Sequence, residues 1–218
     1  MKNAARRVSV LLFAVSLAAV AGATQLTPRW TMSDDASIVQ ISSRPKKYAF
    51  SLVSSEPEGI IGSGLTFHPT GKLKFKQIQE LSADFAAVLG GIGGGSPRFS
   101  IGIDVNGDGV FQQAADGSGP DGHVFVYLGT VNTGFHDDPS STWANTGNLI
   151  EATDNRFDCN QLGSTRYYDD YATALSLAGN KRVMYISLVV DSGWWFDDQE
   201  VLFNNVTVNN SVLKAKKP

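Results

Sequence analysis

Short apolar stretches separated by turn residues run along almost the whole chain, and many of them alternate apolar with polar side chains. Alternation with period two marks a strand with one buried and one wet face. In Tyr48-Ala49-Phe50-Ser51-Leu52-Val53 the larger apolar residues Tyr48, Phe50 and Leu52 share a face. Ala36–Ser42 reads as the strand before it, with Ser43-Arg44-Pro45-Lys46 turning between them. Ile60–His68 makes a third, closed by Pro69-Thr70-Gly71. Lys72-Leu73-Lys74-Phe75-Lys76 alternates charge with apolar character and predicts a strand wet on one face. Glu80–Val88 fits strand or helix, and strand is preferred because its neighbours are strands. Phe99–Val105, Gly122–Gly129, Arg182–Val190 and Glu200–Val208 complete the set. In the last, Val201, Phe203, Val206 and Val208 break parity, so Asn204-Asn205 predicts a bulge. Asp169–Ala178 is the one plausible helix, stopped by Gly179-Asn180. Between Thr130 and Tyr168 the pattern weakens, with Asn148–Ala152 a further candidate strand.

Eight or nine short strands with regular turn signals predict an all-β, antiparallel, jelly-roll-like β-sandwich with one short helix. An irregular β-barrel is the alternative. The expected organisation is a leader at 1–23, a flexible N-terminus at 24–35, the sandwich at 36–210 and a basic disordered tail at 211–218.

The leader is expected from its layout. Lys2, Arg6 and Arg7 precede an apolar run from Val8 to Val20, and Ala21-Gly22-Ala23 is a small-residue cleavage site before Thr24. The run is shorter than the roughly 20 residues a membrane span needs. The chain is therefore expected to be secreted, extracellular or periplasmic, with no span after cleavage. Loss of the three leader bases makes the formal net charge of −3 more acidic by three. No basic stripe is interleaved with aromatics, which argues against nucleic acid as a partner. Cys159 is the only cysteine, so an intramolecular disulfide is impossible. It is expected to be a small buried hydrophobe.

The most specific local chemistry is Asp104-Val105-Asn106-Gly107-Asp108-Gly109. Oxygen-bearing side chains at alternate positions before a glycine are what a curled loop needs to wrap a hard cation such as Ca²⁺. An EF-hand would carry glutamate at the twelfth position, where this chain has Ala115, and its flanks read as strands. Further ligands would come from Asp116, Asp121 or backbone carbonyls. The same residues also favour an ordinary hairpin turn.

A second cluster surrounds Ser192-Gly193-Trp194-Trp195-Phe196, with Asp191, Asp197, Asp198 and Glu200 beside it. Three consecutive aromatics in a loop either cap the core or form a platform on which sugar rings stack. Trp194, Trp195, Trp143 and Tyr168 are the candidate ligand-binding residues. Catalytic signatures are thin. His68, His123 and His136 fall in no metal-binding spacing, and no E-x-D-x-E strand is present.

Several pieces resemble secreted bacterial β-sandwich proteins of uncharacterised function. They are Gly93-Gly94-Gly95-Ser96-Pro97-Arg98-Phe99, Asp104–Gly109, Val124-Phe125-Val126-Tyr127-Leu128-Gly129 and Asp191-Ser192-Gly193-Trp194 with Phe203-Asn204-Asn205-Val206-Thr207-Val208. The closing strand is similar to one that often ends jelly-roll carbohydrate-binding modules, although the usual Asp is Asn204 here. The resemblance implies a structural Ca²⁺ and loop aromatics that support sugar binding. The leading expectation is a non-catalytic module for a polysaccharide or cell-surface polymer. A structural or adhesive envelope protein without a small ligand is the second. A carbohydrate-active hydrolase using Glu200 with a nearby Asp is the third.

Overall fold

The computed structural model describes residues 24–33, 35–41, 47–55, 61–93, 95–114, 117–129, 142–191 and 198–218. Among them are thirteen strands, not eight or nine, and one α-helix. The strands form two antiparallel sheets. The first runs β1 (Thr24–Thr27), β2 (Trp30–Met32), β5 (Ser63–Phe67), β11 (Arg182–Val190), β7 (Arg98–Asp104), β8 (Gly122–Tyr127) and β10 (Phe157–Asp158). The second runs β3 (Ser37–Gln40), β4 (Tyr48–Ser55), β12 (Asp198–Val208), β6 (Leu81–Leu89) and β9 (Ala144–Asn145), with β13 (Ser211–Leu213) also pairing β12.

Alternation places the core between the sheets. Leu65, Phe99, Ile101, Ile103, Val124, Val126, Ile186 and Leu188 of the first sheet share one cluster with Phe50, Leu52, Val201 and Phe203 of the second. Each such side chain, fully buried, stabilises the fold by about 1.5–3 kcal/mol relative to exposure. β12 holds one register with β6 from Val201 to Asn204, after a first shift at Glu200, and shifts again before Thr207, with Asn205 at φ +46°. That is the bulge the broken parity predicts. α1 (Tyr171–Ala178) begins where Asp170 accepts the Thr173 amide, a side-chain cap for an otherwise unpaired N–H.

Four expectations are corrected. The N-terminal segment is built into the first sheet. Trp30 is 2% exposed, packs 5.3 Å from Phe67 and donates its Nε1–H to Ser211 Oγ at 3.0 Å. The C-terminal segment contributes β13, with Leu213 buried. Lys72–Lys76 is not a strand, because the amides of Phe75 and Lys76 donate to Lys181 and Gly179 at the end of α1. A 3-10 turn forms at Phe75–Gln77, and buried Phe75 packs on Tyr171. A second 3-10 turn, Leu149–Glu151, replaces the candidate strand at Asn148–Ala152, with Asn148 capping the Ile150 amide.

Candidate functional site: a polar pocket on the outer face of the first sheet

The core-facing residues of β7, β8 and β11 are apolar, so the alternate residues face outward. Cross-strand register sets them in rows. Tyr185 lies opposite Gly102, and Gly102 opposite His123. The next row is Thr66, Ser187, Ser100 and Phe125. The one after carries Gly64, Val189, Arg98 and Tyr127. An outer sheet face is ordinarily wet, yet Ser187, His123, Ser100 and Arg98 are 1%, 2%, 7% and 8% exposed. A pocket with about 370 Å³ of empty space, its mouth included, opens here and is lined by Arg98, Ser100, His123, Tyr185, Ser187 and Asp191 among others.

Gly102 makes room for one wall of the pocket, Tyr185. A Cβ there would lie 2.7 Å from Tyr185 Cε1, so only glycine lets the Tyr185 ring lie across β7. Tyr185 Oη then reaches His123 Nε2 at 2.7 Å. The tautomer of His123 follows from its other partners. Gln161 Oε1 faces the His123 backbone N–H at 2.8 Å and the ring Nδ1 at 2.9 Å. A backbone N–H can only donate, so the Gln161 atom is the oxygen, and Nδ1 must carry the ring proton. Nε2 is therefore bare and accepts from Tyr185. Burial holds the His123 pKa down to about 4, helped by the nearby Arg98 charge and opposed by the Gln161 hydrogen bond. Phe111, from the β7–β8 connection, closes this wall with ring centroids 5.0 Å from His123 and 5.2 Å from Tyr185.

Arg98 and Asp191 form the opposite wall. Arg98 Nη1 donates to Asp191 Oδ1 at 2.5 Å and to Gly95 O at 2.8 Å, while Nη2 donates to Asp191 Oδ2. The guanidinium lies over Phe125, 4.7 Å from its centroid. Burial pushes the Asp191 carboxyl above the ordinary carboxylate range, and Arg98 opposes that shift. Arg98 Nε is buried without a hydrogen-bond partner. Asp191 N in turn donates to Ser96 Oγ, and Ser96 Oγ donates to Gln199 Oε1 at 2.6 Å, which ties the wall to β12.

The Asp-rich loop leaves the same face. Asp104 Oδ1 accepts the Gly107 amide at 2.7 Å and Oδ2 the Gly109 amide at 3.0 Å. Asn106 Oδ1 accepts from Asp108 N, and Asp108 Oδ1 from Val110 N. Asp121, 3% exposed, accepts the Val105 and Gln112 amides on its two oxygens. Gly107 and Gly109 take φ of +81° and +84°, a region that costs glycine nothing. The loop thus folds around its own carboxylates. A carboxylate oxygen has two lone-pair sites, and among the described residues one amide meets each Asp104 oxygen. Among the described residues no three His, Cys, Asp or Glu side chains converge as a metal cluster. Lys181 Nζ donates to Val105 O at 2.8 Å, so a cationic side chain already sits beside the loop.

Of the residues singled out from the sequence, Asp104, Asn106, Asp108 and Asp121 come together in this loop. Asp116, Trp194 and Trp195 lie outside the described residues. Trp143 is half-buried just before β9, at the edge of the second sheet. Tyr168 packs 5.6 Å from Tyr127 beside β10, at the edge of the first. Glu200 lies on β12 and accepts from Ser51 Oγ at 2.6 Å. The pocket residues Arg98, His123 and Tyr185 escape sequence reading. Their only signal is polar or aromatic character at alternate positions of strands whose other face is apolar.

The fold and pocket define a two-sheet antiparallel β-protein with a polar cavity on one outer face. No family model matches the chain, and no curated protein matches it by sequence. A solved structure of an exo-beta-agarase aligns with a TM-score of 0.35 and 15% identity, over 86% of this chain and 25% of that one. The chain thus spans about a quarter of that protein, and a likeness at this score carries no argument about function.

Proposed function

We propose that the protein is a secreted, non-catalytic, jelly-roll-like β-sandwich that binds an extracellular glycan or surface polymer. The observation that carries this reading is the pocket on the outer face of the first sheet. Its described lining sets a guanidinium, a carboxylate, a phenol and three serine hydroxyls beside the Tyr185 ring, with Phe111 packed on Tyr185 and Phe125 under the Arg98 guanidinium. Concave sites that mix apolar walls with a few fixed polar groups are where small ligands bind. Asp191 also starts the connection that carries Trp194 and Trp195, so these stacking candidates follow directly from a pocket residue. Secretion rests on the leader pattern.

A structural Ca²⁺ at Asp104, Asn106 and Asp108, with Asp121 and Asp116 as further ligands, belongs to the same proposal. It rests on the alternate spacing of the oxygens and on the Asp104 oxygens, each with two lone-pair sites and one amide among the described residues. Its role would be to brace the β7–β8 connection, whose Phe111 packs on the pocket residues His123 and Tyr185.

The test is a polysaccharide and glycan array probed with Thr24–Pro218 in Ca²⁺ and in chelator. Retention on an extracellular polysaccharide is the expected result. No retention anywhere on the array would overturn the reading and leave a structural envelope protein in its place.

A further inference from the structure

Building on the glycan-binding reading, we infer that the pocket between Arg98–Asp191 and Tyr185–His123 takes one uncharged, hydroxyl-rich sugar ring and discriminates against acidic sugars. Charge balance is the first argument. The guanidinium of Arg98 is committed to Asp191 through both terminal nitrogens. The two charges cancel, and no other charged residue is among the described lining. Burial keeps His123 neutral, and the Gln161 oxygen fixes its proton on Nδ1. An acidic sugar would bring its carboxylate beside Asp191 with no free cation to meet it, and like charges in a desolvated site repel strongly.

Donor and acceptor balance is the second argument. Arg98 is more than nine-tenths buried, and its Nε–H has no partner. A buried unpaired donor is costly, and a ligand oxygen is the partner a pocket can supply. Tyr185 spends its only proton on His123 Nε2, so its oxygen faces a ligand as an acceptor. Ser187 Oγ lies 2.8 Å from Thr66 Oγ1, and Ser100 beside it supplies another hydroxyl. The site needs a ligand that accepts at one place and donates at another. A sugar hydroxyl does both, and adjacent hydroxyls on one ring do so at fixed separation.

The test is titration calorimetry on Thr24–Pro218 with methyl glycosides of glucose, galactose, mannose and xylose, and with glucuronate and galacturonate. Ser100→Val fills the pocket floor with a residue that suits a strand, and its unfolding midpoint checks the fold. Tyr185→Phe removes the phenol oxygen, both the acceptor offered to a ligand and the donor to His123 Nε2, so its unfolding midpoint is measured as well. The expected result is saturable binding of a neutral glycoside, at least tenfold weaker for the uronates and at least tenfold weaker in each variant. Equal or tighter uronate binding would overturn the inference. So would neutral binding that survives Ser100→Val, because the sugar would then sit elsewhere. Either outcome leaves glycan binding standing. If only whole polysaccharides are retained on the array, loss of that retention in Ser100→Val and a preference for neutral polymers support the inference. Retention unaffected by Ser100→Val overturns it. Failure of every saccharide on the array overturns the glycan reading itself.

Discussion

Tyr185 Oη donates to His123 Nε2 at 2.7 Å across a glycine, Gly102, that leaves room for the ring between β8 and β11. Gly102→Ala would set a methyl 2.7 Å from Tyr185 Cε1. Overpacking of this kind costs about 1–3 kcal/mol. Urea unfolding is expected to show that loss together with weakened ligand binding. An unchanged midpoint would mean that the ring has an alternative place to lie.

Stability is expected to fall as pH drops from about 6.5 towards about 4, because buried His123 stays neutral while the unfolded chain takes up a proton there. The folded pKa is lowered, so the unfolded state binds more protons in this window and gains on the folded state. From the shift, the contribution is up to about 3 kcal/mol. His68, also lowered by partial burial, acts in the same direction. Asp158 and Asp191 are raised by burial and act oppositely, adding stability as pH falls. The comparison to make is therefore His123→Gln against the parent. The variant's pH profile should be flatter between 4 and 6.5, and superimposable slopes would count against the assignment.

Asp191→Ala leaves the Arg98 guanidinium buried without its carboxylate. Removing one partner of a buried ion pair costs about 3–5 kcal/mol. The joint replacement Arg98→Met with Asp191→Leu removes both charges and is expected to recover most of that loss. A double variant no more stable than the single one would show that the pair holds the wall through more than charge.

If Asp104 binds Ca²⁺, the thermal midpoint of the parent rises in excess calcium over chelator by an amount set by RT ln(1 + [L]/Kd). Asp104→Ala is expected to abolish that response. It should also lower the midpoint in chelator, since the Gly107 and Gly109 amides lose their acceptor. A parent indifferent to calcium would make the loop a hydrogen-bonded turn alone.

The N-terminal strands are expected to be integral to stability. Trp30→Ala removes a side chain 2% exposed, and such truncations cost about 3–5 kcal/mol. Ser211→Ala tests the smaller contribution of the Nε1–Oγ hydrogen bond, about 0.5–1.5 kcal/mol. A Trp30→Ala variant as stable as the parent would restore the picture of a loosely held terminus.

Much of this architecture is legible in the sequence, because parity is a local property. Phe99, Ile101 and Ile103 alternate and face the core, and Arg182–Val190 and the bulge at Asn204-Asn205 fall where the pattern puts them. The Asp104 loop is also local, so its curl around alternate oxygens could be read from spacing. The shortest edge strands could not. β9 and β10 are two residues each and exist only because a neighbouring strand accepts them. Lys72–Lys76 carries a strand pattern, but the end of α1 claims its amides first.

What the sequence by itself determined is therefore which side chains share a face of each element. Strand order and register were decided by the tertiary structure. His123 and Tyr185 are 62 residues apart, and Arg98 and Asp191 are 93 apart. They meet because β11 pairs with β7 and β7 with β8. The pairing is settled by burial of the opposite, apolar face of those strands, so the chemistry of the outer face follows from core packing that no local pattern records.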